Sequence, residues 1–136
     1  MGAFAASSKS PSNRFAGITE VTEMKVNVPD IAFYECTELT RVCLKNGVKT
    51  IGYNAFSGCS GLTYLFIPKS VESMSKGLFG NSSPFLDLDI KNPIVVDIDN
   101  SFYRINGNCL IDIDKKSVLA GFLDSQIPDG MNIIDN

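Results

Sequence analysis

The stretch GYNAFSGCSGLTYLFI, residues 52–67, repeats a pattern found 23 positions earlier (52 − 29 = 23) as PDIAFYECTELTRVCL, residues 29–44. Ala55-Phe56 lies over Ala32-Phe33, and Cys59 over Cys36 (59 − 36 = 23). Leu62 lies over Leu39, Leu65 over Val42 and Ile67 over Leu44. A unit this short cannot bury its own apolar face. It folds only by stacking on a neighbour of the same kind, so the pattern dictates a repeat architecture.

Within a unit, LTRVCL (39–44) and LTYLFIP (62–68) read as short strands. Val42 and Leu44, or Leu65 and Ile67, point inward with period two, while Arg41, Cys43, Tyr64 and Phe66 point outward. Pro68 ends its strand because it has no N–H for the ladder. Asn46-Gly47 and Lys69-Ser70 turn the chain, and VKTI (48–51) and VESM (71–74) return on the opposite side. AFYEC and AFSGC then form a single helical turn or a tight corner. Stacked units place Phe33, Phe56 and Phe79 in one ladder, and Leu39, Leu62 and Phe85 in another.

Residues 1–14, poor in large apolar side chains, read as a flexible leader, and residues 15–136 as the repeat domain. Phe15 to Val28 is a degenerate first coil: Val28 occupies the place of Ile51 and Met74, but Lys25 stands where Val48 and Val71 recur. Clear repeats span about 32–54 and 55–77, and a third begins at Leu78-Phe79, with Ser82, Phe85, Leu88 and Ile90 at the same offsets to residue 90. After Ile90 the spacing breaks. IPDGMNII matches IPKSVESM at 127 − 67 = 60 rather than 46, so about 14 residues are inserted and residues 127–136 form a partial repeat. The insert, 91–126, contains FYRINGNCLIDIDKKSVLAGF, which alternates as a β-hairpin. Its strands carry Tyr103, Ile105, Cys109, Ile111 and Ile113 before a turn at residues 114–117, and Val118, Leu119 and Phe122 after it; Asn106-Gly107-Asn108 makes a further turn.

The unit AFSGCSGLTYLFIPKSVESMS resembles the repeat AFxxCxxLxxIxIPxxVxxIG of the BspA-type leucine-rich repeat family of bacterial and protist surface proteins. GNCLIDIDKKSVLAGFLDSQIPDGM is similar to a hairpin insert of that family. Met74 and Met131 depart from its usual Ile and Val. The resemblance covers about residues 28–136. It implies an α/β-type leucine-rich-repeat solenoid of about four coils: β-rich, with short parallel strands, short helical corners and a C-terminal hairpin insert. It also implies a non-enzymatic protein-binding role, as an adhesin-like module at the cell surface or in a secreted protein. Partners of that kind are host, matrix or microbial surface proteins. The sequence stops at IIDN, where another AFxxC corner is due. An edge cut there belongs to a longer array, or is covered by a partner or by self-association with a second copy.

Composition narrows the remaining options. A net charge of −3 gives no basic footprint for nucleic acid, and no window approaches the roughly 18 apolar residues of a membrane span. The chain has no His, which removes the usual Ser-His-Asp and Cys-His constellations and His-containing zinc sites. Its four cysteines are spaced by 7, 16 and 50 positions (43 − 36, 59 − 43, 109 − 59), with no C-x₂₋₄-C pair. Cys36 and Cys59 share one repeat position, either as buried thiols or as a bridge between adjacent coils. No cofactor or metal site is implied. The pairs Asp87/Asp89, Asp97/Asp99 and Asp112/Asp114 fit no calcium loop. They read as solvent-facing carboxylates around inward Leu88, Ile98 and Ile113, with an Asp-based hydrolase as a remote alternative.

Solenoids bind with the broad surface of their strands. The outward residues Arg41, Tyr64, Phe66, Asp87 and Asp89 are therefore the candidate partner-binding face, with Tyr64 and Phe66 as its aromatic anchors. The competing reading is a structural spacer or capping segment with no ligand of its own, in which Phe66 packs under a loop or a neighbouring chain.

Overall fold

A computed structural model of the chain describes residues 17–75, 77–79, 93–107, 109–121 and 130. Its backbone is organised by short parallel strands. Strands β1 (Glu20–Val21), β2 (Arg41–Cys43), β4 (Tyr64–Ile67) and β6 (Ile94–Val96) form a four-stranded parallel sheet in that order. On the return side, β3 (Thr50–Ile51) and β5 (Ser73–Met74) pair in parallel, and Val28 bridges to Ile51. The insert supplies a third sheet, antiparallel, of β7 (Tyr103–Asn106), β8 (Cys109–Asp112) and β9 (Ser117–Gly121).

The registers follow the sequence offset where the repeat is clear. Arg41 opposes Tyr64 (64 − 41 = 23) and Val42 opposes Leu65 (65 − 42 = 23); Thr50 opposes Ser73 in the same way. The first coil is shorter, since Val21 opposes Val42 (42 − 21 = 21). Met24 is the buried residue of its turn, and Lys25 is exposed. Beyond β4 the offset lengthens to 29 (94 − 65), because Leu65 opposes Ile94 and Ile67 opposes Val96. The expected ladder residues Phe85, Leu88 and Ile90 lie outside the described residues. The place beside β4 belongs to Ile94–Val96, so part of the extra length (29 − 23 = 6) precedes β6.

The inward residues Val42, Leu44, Leu62, Leu65, Ile67 and Ile94 are at most 1% exposed. Phe33 stacks on Phe56 with centroids 5.5 Å apart, and Phe56 meets Phe79 at 6.3 Å. The corners between sheets are successive tight turns: Ala32 N donates to the Pro29 carbonyl, Tyr34 N to Ile31, and Cys36 N to Phe33. No α-helix occurs among the described residues. Coils are stitched at each corner by bonds such as Phe33 N to Ala55 O, 2.8 Å, and Phe56 N to Leu78 O, 3.0 Å.

Two corner positions require left-handed backbone. The second copy meets them with Asn54 (φ 54°) and Gly58 (φ 78°); the first holds Ile31 (φ 51°) and Glu35 (φ 54°) there. Asn and Gly adopt this region readily, whereas a β-branched residue is strained in it.

The insert departs from the expected alternation. Every residue of β8 is buried, because it is the central strand: Cys109 and Ile111 pack with Val118, while Leu110 joins the main core. Ile98, expected inward, is 96% exposed in a turn, and Asp112, expected outward, is buried. Asp112 Oδ1 accepts from Lys115 N at 3.0 Å, so the carboxylate is spent on its own turn. Asn100 anchors the insert to the preceding coil. Its amide donates to the Pro68 and Val71 carbonyls, and its Oδ1 accepts from Phe102 N and Tyr103 N. Tyr103 then turns its hydroxyl to accept from Met74 N at 2.7 Å, which satisfies an edge donor of β5.

Candidate functional site

The outer face of the four-stranded sheet carries two rows of side chains, set by the register. The first row is Glu20, Arg41 and Tyr64. The second is Cys43, Phe66 and Val95. Alternation along each strand places these outward while Val21, Val42, Leu65 and Ile94 go in. Arg41 is exposed, and Cys43, Tyr64, Phe66 and Val95 are half-buried.

Three of the five expected face residues are therefore brought together. Arg41 lies over the Tyr64 ring, its Cζ 4.4 Å from the centroid, and Phe66 stands two positions along on the same face. Asp87 and Asp89 lie outside the described residues. Val95 escapes a reading by repeats, because its offset from Phe66 (95 − 66 = 29) is not that of the other coils. The Arg41–Tyr64 contact was legible in principle, since the two are one repeat apart (64 − 41 = 23).

The side chains that hold this face in place make their bonds inward or along the stack. Thr40 Oγ1 donates to the Thr19 carbonyl at 3.1 Å, and Thr63 Oγ1 to that of Thr40 at 3.0 Å, so both threonines serve the coil stack. Across the molecule, Lys49 and Glu72 form a solvent-exposed ion pair at 3.9 Å beside β3 and β5.

The four cysteines are free thiols. Cys36 and Cys59 are buried, and Cys59 donates its S–H to the Phe33 carbonyl at 3.0 Å. Burial pushes Cys36 up to about 11. Burial, aided by the neighbouring Cys36, pushes Cys59 up to about 12. Both are thus protonated, weakly nucleophilic packing groups at neutral pH.

A second exposed apolar group sits at the first corner, away from the sheet face. Ile31 is 57% exposed and Tyr53 55%, and they are joined by a bond from Ile31 N to the Tyr53 carbonyl. Ile31 could have been noticed because it aligns with Asn54, a residue suited to that backbone.

Parallel strands stacked unit on unit, with ladder residues inside and a different set of side chains outside, define a repeat-built solenoid. A family model described as "BspA type Leucine rich repeat region (6 copies)" matches residues 11–118, and the chain belongs to that family. Among solved structures, the chain is similar to the pneumococcal vaccine antigen PcpA, with a TM-score of 0.67 at 19% identity. That match covers 88% of this chain and 31% of PcpA, so the chain spans about a third of its length. A leucine-rich repeat protein from Eubacterium ventriosum matches with a TM-score of 0.42 at 15% identity, covering 85% of this chain and 43% of that one. No curated protein gives a significant match.

Proposed function

We propose that the chain is a non-enzymatic protein-interaction module of a cell-surface or secreted, adhesin-like protein, and that it binds through the outer face of the four-stranded sheet. In this reading it is one stretch of a solenoid whose coils recur at the Arg41-to-Tyr64 spacing (64 − 41 = 23), and the partner is a host, matrix or microbial surface protein. The observation that carries the proposal is the contact of Arg41 with Tyr64 beside half-buried Phe66. Large aromatic groups and an arginine on an outward sheet face are the residue types that anchor protein interfaces. The likeness to an antigen of the pneumococcus supports the surface location.

The spacer reading is favoured by one fact: Phe66 is flanked in register by Cys43 and Val95, so part of its area is already covered within the sheet. The double variant Tyr64→Ser/Phe66→Ser separates the two. Surface plasmon resonance against a panel of extracellular-matrix and host-surface proteins, paired with thermal unfolding, reads both properties. Binding lost with only the small drop in Tm that the partial burial of Phe66 entails supports the face. Lost stability without any binding by the parent chain supports the spacer.

A further inference from the structure

Among the described residues, the outer face carries a cation with no counter-ion of its own. Strands in a sheet lie about 4.8 Å apart, and Glu20 is the register neighbour of Arg41, so an ion pair between them was within reach. The structure does not make it. No ion pair of Arg41 occurs among the described residues, and its guanidinium lies over the Tyr64 ring instead. A guanidinium that lies against a ring through its face keeps its N–H edge available, and that edge matches a carboxylate in a two-pronged geometry. The ring holds the group in place, so less side-chain freedom is lost when a ligand arrives.

The second row adds a spacing. Cys43, Phe66 and Val95 form a half-buried apolar strip two positions along the strands from Arg41 and Tyr64. Two residues of strand advance about 6.6 Å. An extended segment laid along the same direction presents alternate side chains on one face at that same interval. An acidic residue and a large apolar residue two positions apart would therefore meet Arg41 and the strip together. Adjacent positions would not, because they point to opposite faces.

Resting on the reading of this face as the binding surface, we propose that it recognises an extended acidic segment of a partner protein. Arg41, steadied on Tyr64, pairs with an Asp or Glu side chain at position i of that segment. Phe66, with Cys43 and Val95, takes a large apolar side chain at i+2.

The test is an NMR titration of the 15N-labelled chain with short capped peptides. The probe is acetyl-Thr-Glu-Thr-Leu-Thr-amide. Its controls are the Gln analogue, which removes the charge, and acetyl-Thr-Glu-Leu-Thr-Thr-amide, which breaks the spacing. Saturating shifts at the Cys43 and Phe66 amides are expected, with the Glu peptide binding about tenfold tighter than the Gln peptide and the misspaced peptide. Arg41→Gln should abolish the preference for Glu over Gln, and Arg41→Lys should restore only part of it. Equal binding of the Glu and Gln peptides, or a preference that survives Arg41→Gln, overturns the proposal. If no peptide shifts these amides while Tyr64→Ser/Phe66→Ser still abolishes capture by a protein of the panel, the acidic specificity falls and the binding face stands. If both fail, both readings fall.

Discussion

Replacing Gly52 with alanine is expected to pry two coils apart. Gly52 lies where the second unit crosses the first, and its N–H donates to the Val28 carbonyl at 2.8 Å. A Cβ built there would stand 2.4 Å from Asp30 N, 2.5 Å from Asp30 Oδ1 and 2.6 Å from the Pro29 carbonyl carbon. Two of those atoms are backbone, so no side-chain rotation relieves the overlap. Ordinary contact begins at 3.4 Å, so the coils must separate by about 1 Å (3.4 − 2.4) locally. The bonds from Gly52 N to Val28 O, Ile31 N to Tyr53 O and Tyr53 N to Asp30 Oδ1 are each 2.8 Å. Lengthened by that amount they pass the roughly 3.2 Å reach of an N–H···O bond. Three bonds at about 1 kcal/mol each give a loss of about 3 kcal/mol. Alanine returns about 0.5 kcal/mol by restricting the unfolded chain. Urea unfolding followed by far-UV circular dichroism should thus show Gly52→Ala less stable by about 2–3 kcal/mol with an unchanged m-value. A loss below about 0.5 kcal/mol would refute the argument that adjacent coils touch backbone to backbone here.

Other expectations follow from the same geometry. Ile31→Asn relieves a β-branched residue held at φ 51° and 57% exposed, and should raise stability by about 1 kcal/mol in thermal unfolding. Asn100→Ala removes four hydrogen bonds, three of them buried, and should cost about 3 kcal/mol or more, whereas Tyr103→Phe orphans Met74 N alone and should cost about 1–2 kcal/mol; urea unfolding ranks the two. Cys36 and Cys59 ionise near 9.0 when unfolded but at about 11 and about 12 when folded. The unfolded state then loses protons first, so their contribution is complete below about pH 9 and falls as pH rises through the folded values. Stability measured from pH 7 to 11 should decline above about pH 9, less steeply in Cys36→Ala/Cys59→Ala, and iodoacetamide at pH 8 should leave both thiols of the native parent chain unmodified.

The parts of this structure that the sequence disclosed are those governed by a single spacing. Val42 and Leu65 are one repeat apart, as are Phe33 and Phe56, and burial follows because equivalent residues stack. Ile94 is hidden from such a reading because its offset from Leu65 (94 − 65 = 29) departs from the repeat, and the register there is set by packing rather than by a local pattern. Ile98 and Asp112 show the limit of alternation. At Ile98 the alternation runs across a turn, and the side chain faces solvent. At Asp112 it cannot weigh a carboxylate satisfied by the backbone of its own turn. The helical corners give way to successive turns, since residues 31, 35, 54 and 58 have positive φ and interrupt any helix. On the outer face, period two places Arg41, Tyr64 and Phe66 correctly as outward residues. That Arg41 stands beside Tyr64 follows from the repeat offset (64 − 41 = 23) rather than from period two.

The division of labour between inside and outside is tested most directly by two neighbouring residues of β4. Leu65 is fully buried, and Phe66 is half-buried on the opposite face. Leu65→Ser and Phe66→Ser are measured side by side by urea unfolding. Leu65→Ser should lose about 4 kcal/mol or more, from a cavity and a buried hydroxyl. Phe66→Ser should lose about 1 kcal/mol, in keeping with its partial burial. Equal losses, or a larger loss at Phe66, would show that the outer face is part of the core and would contradict the account.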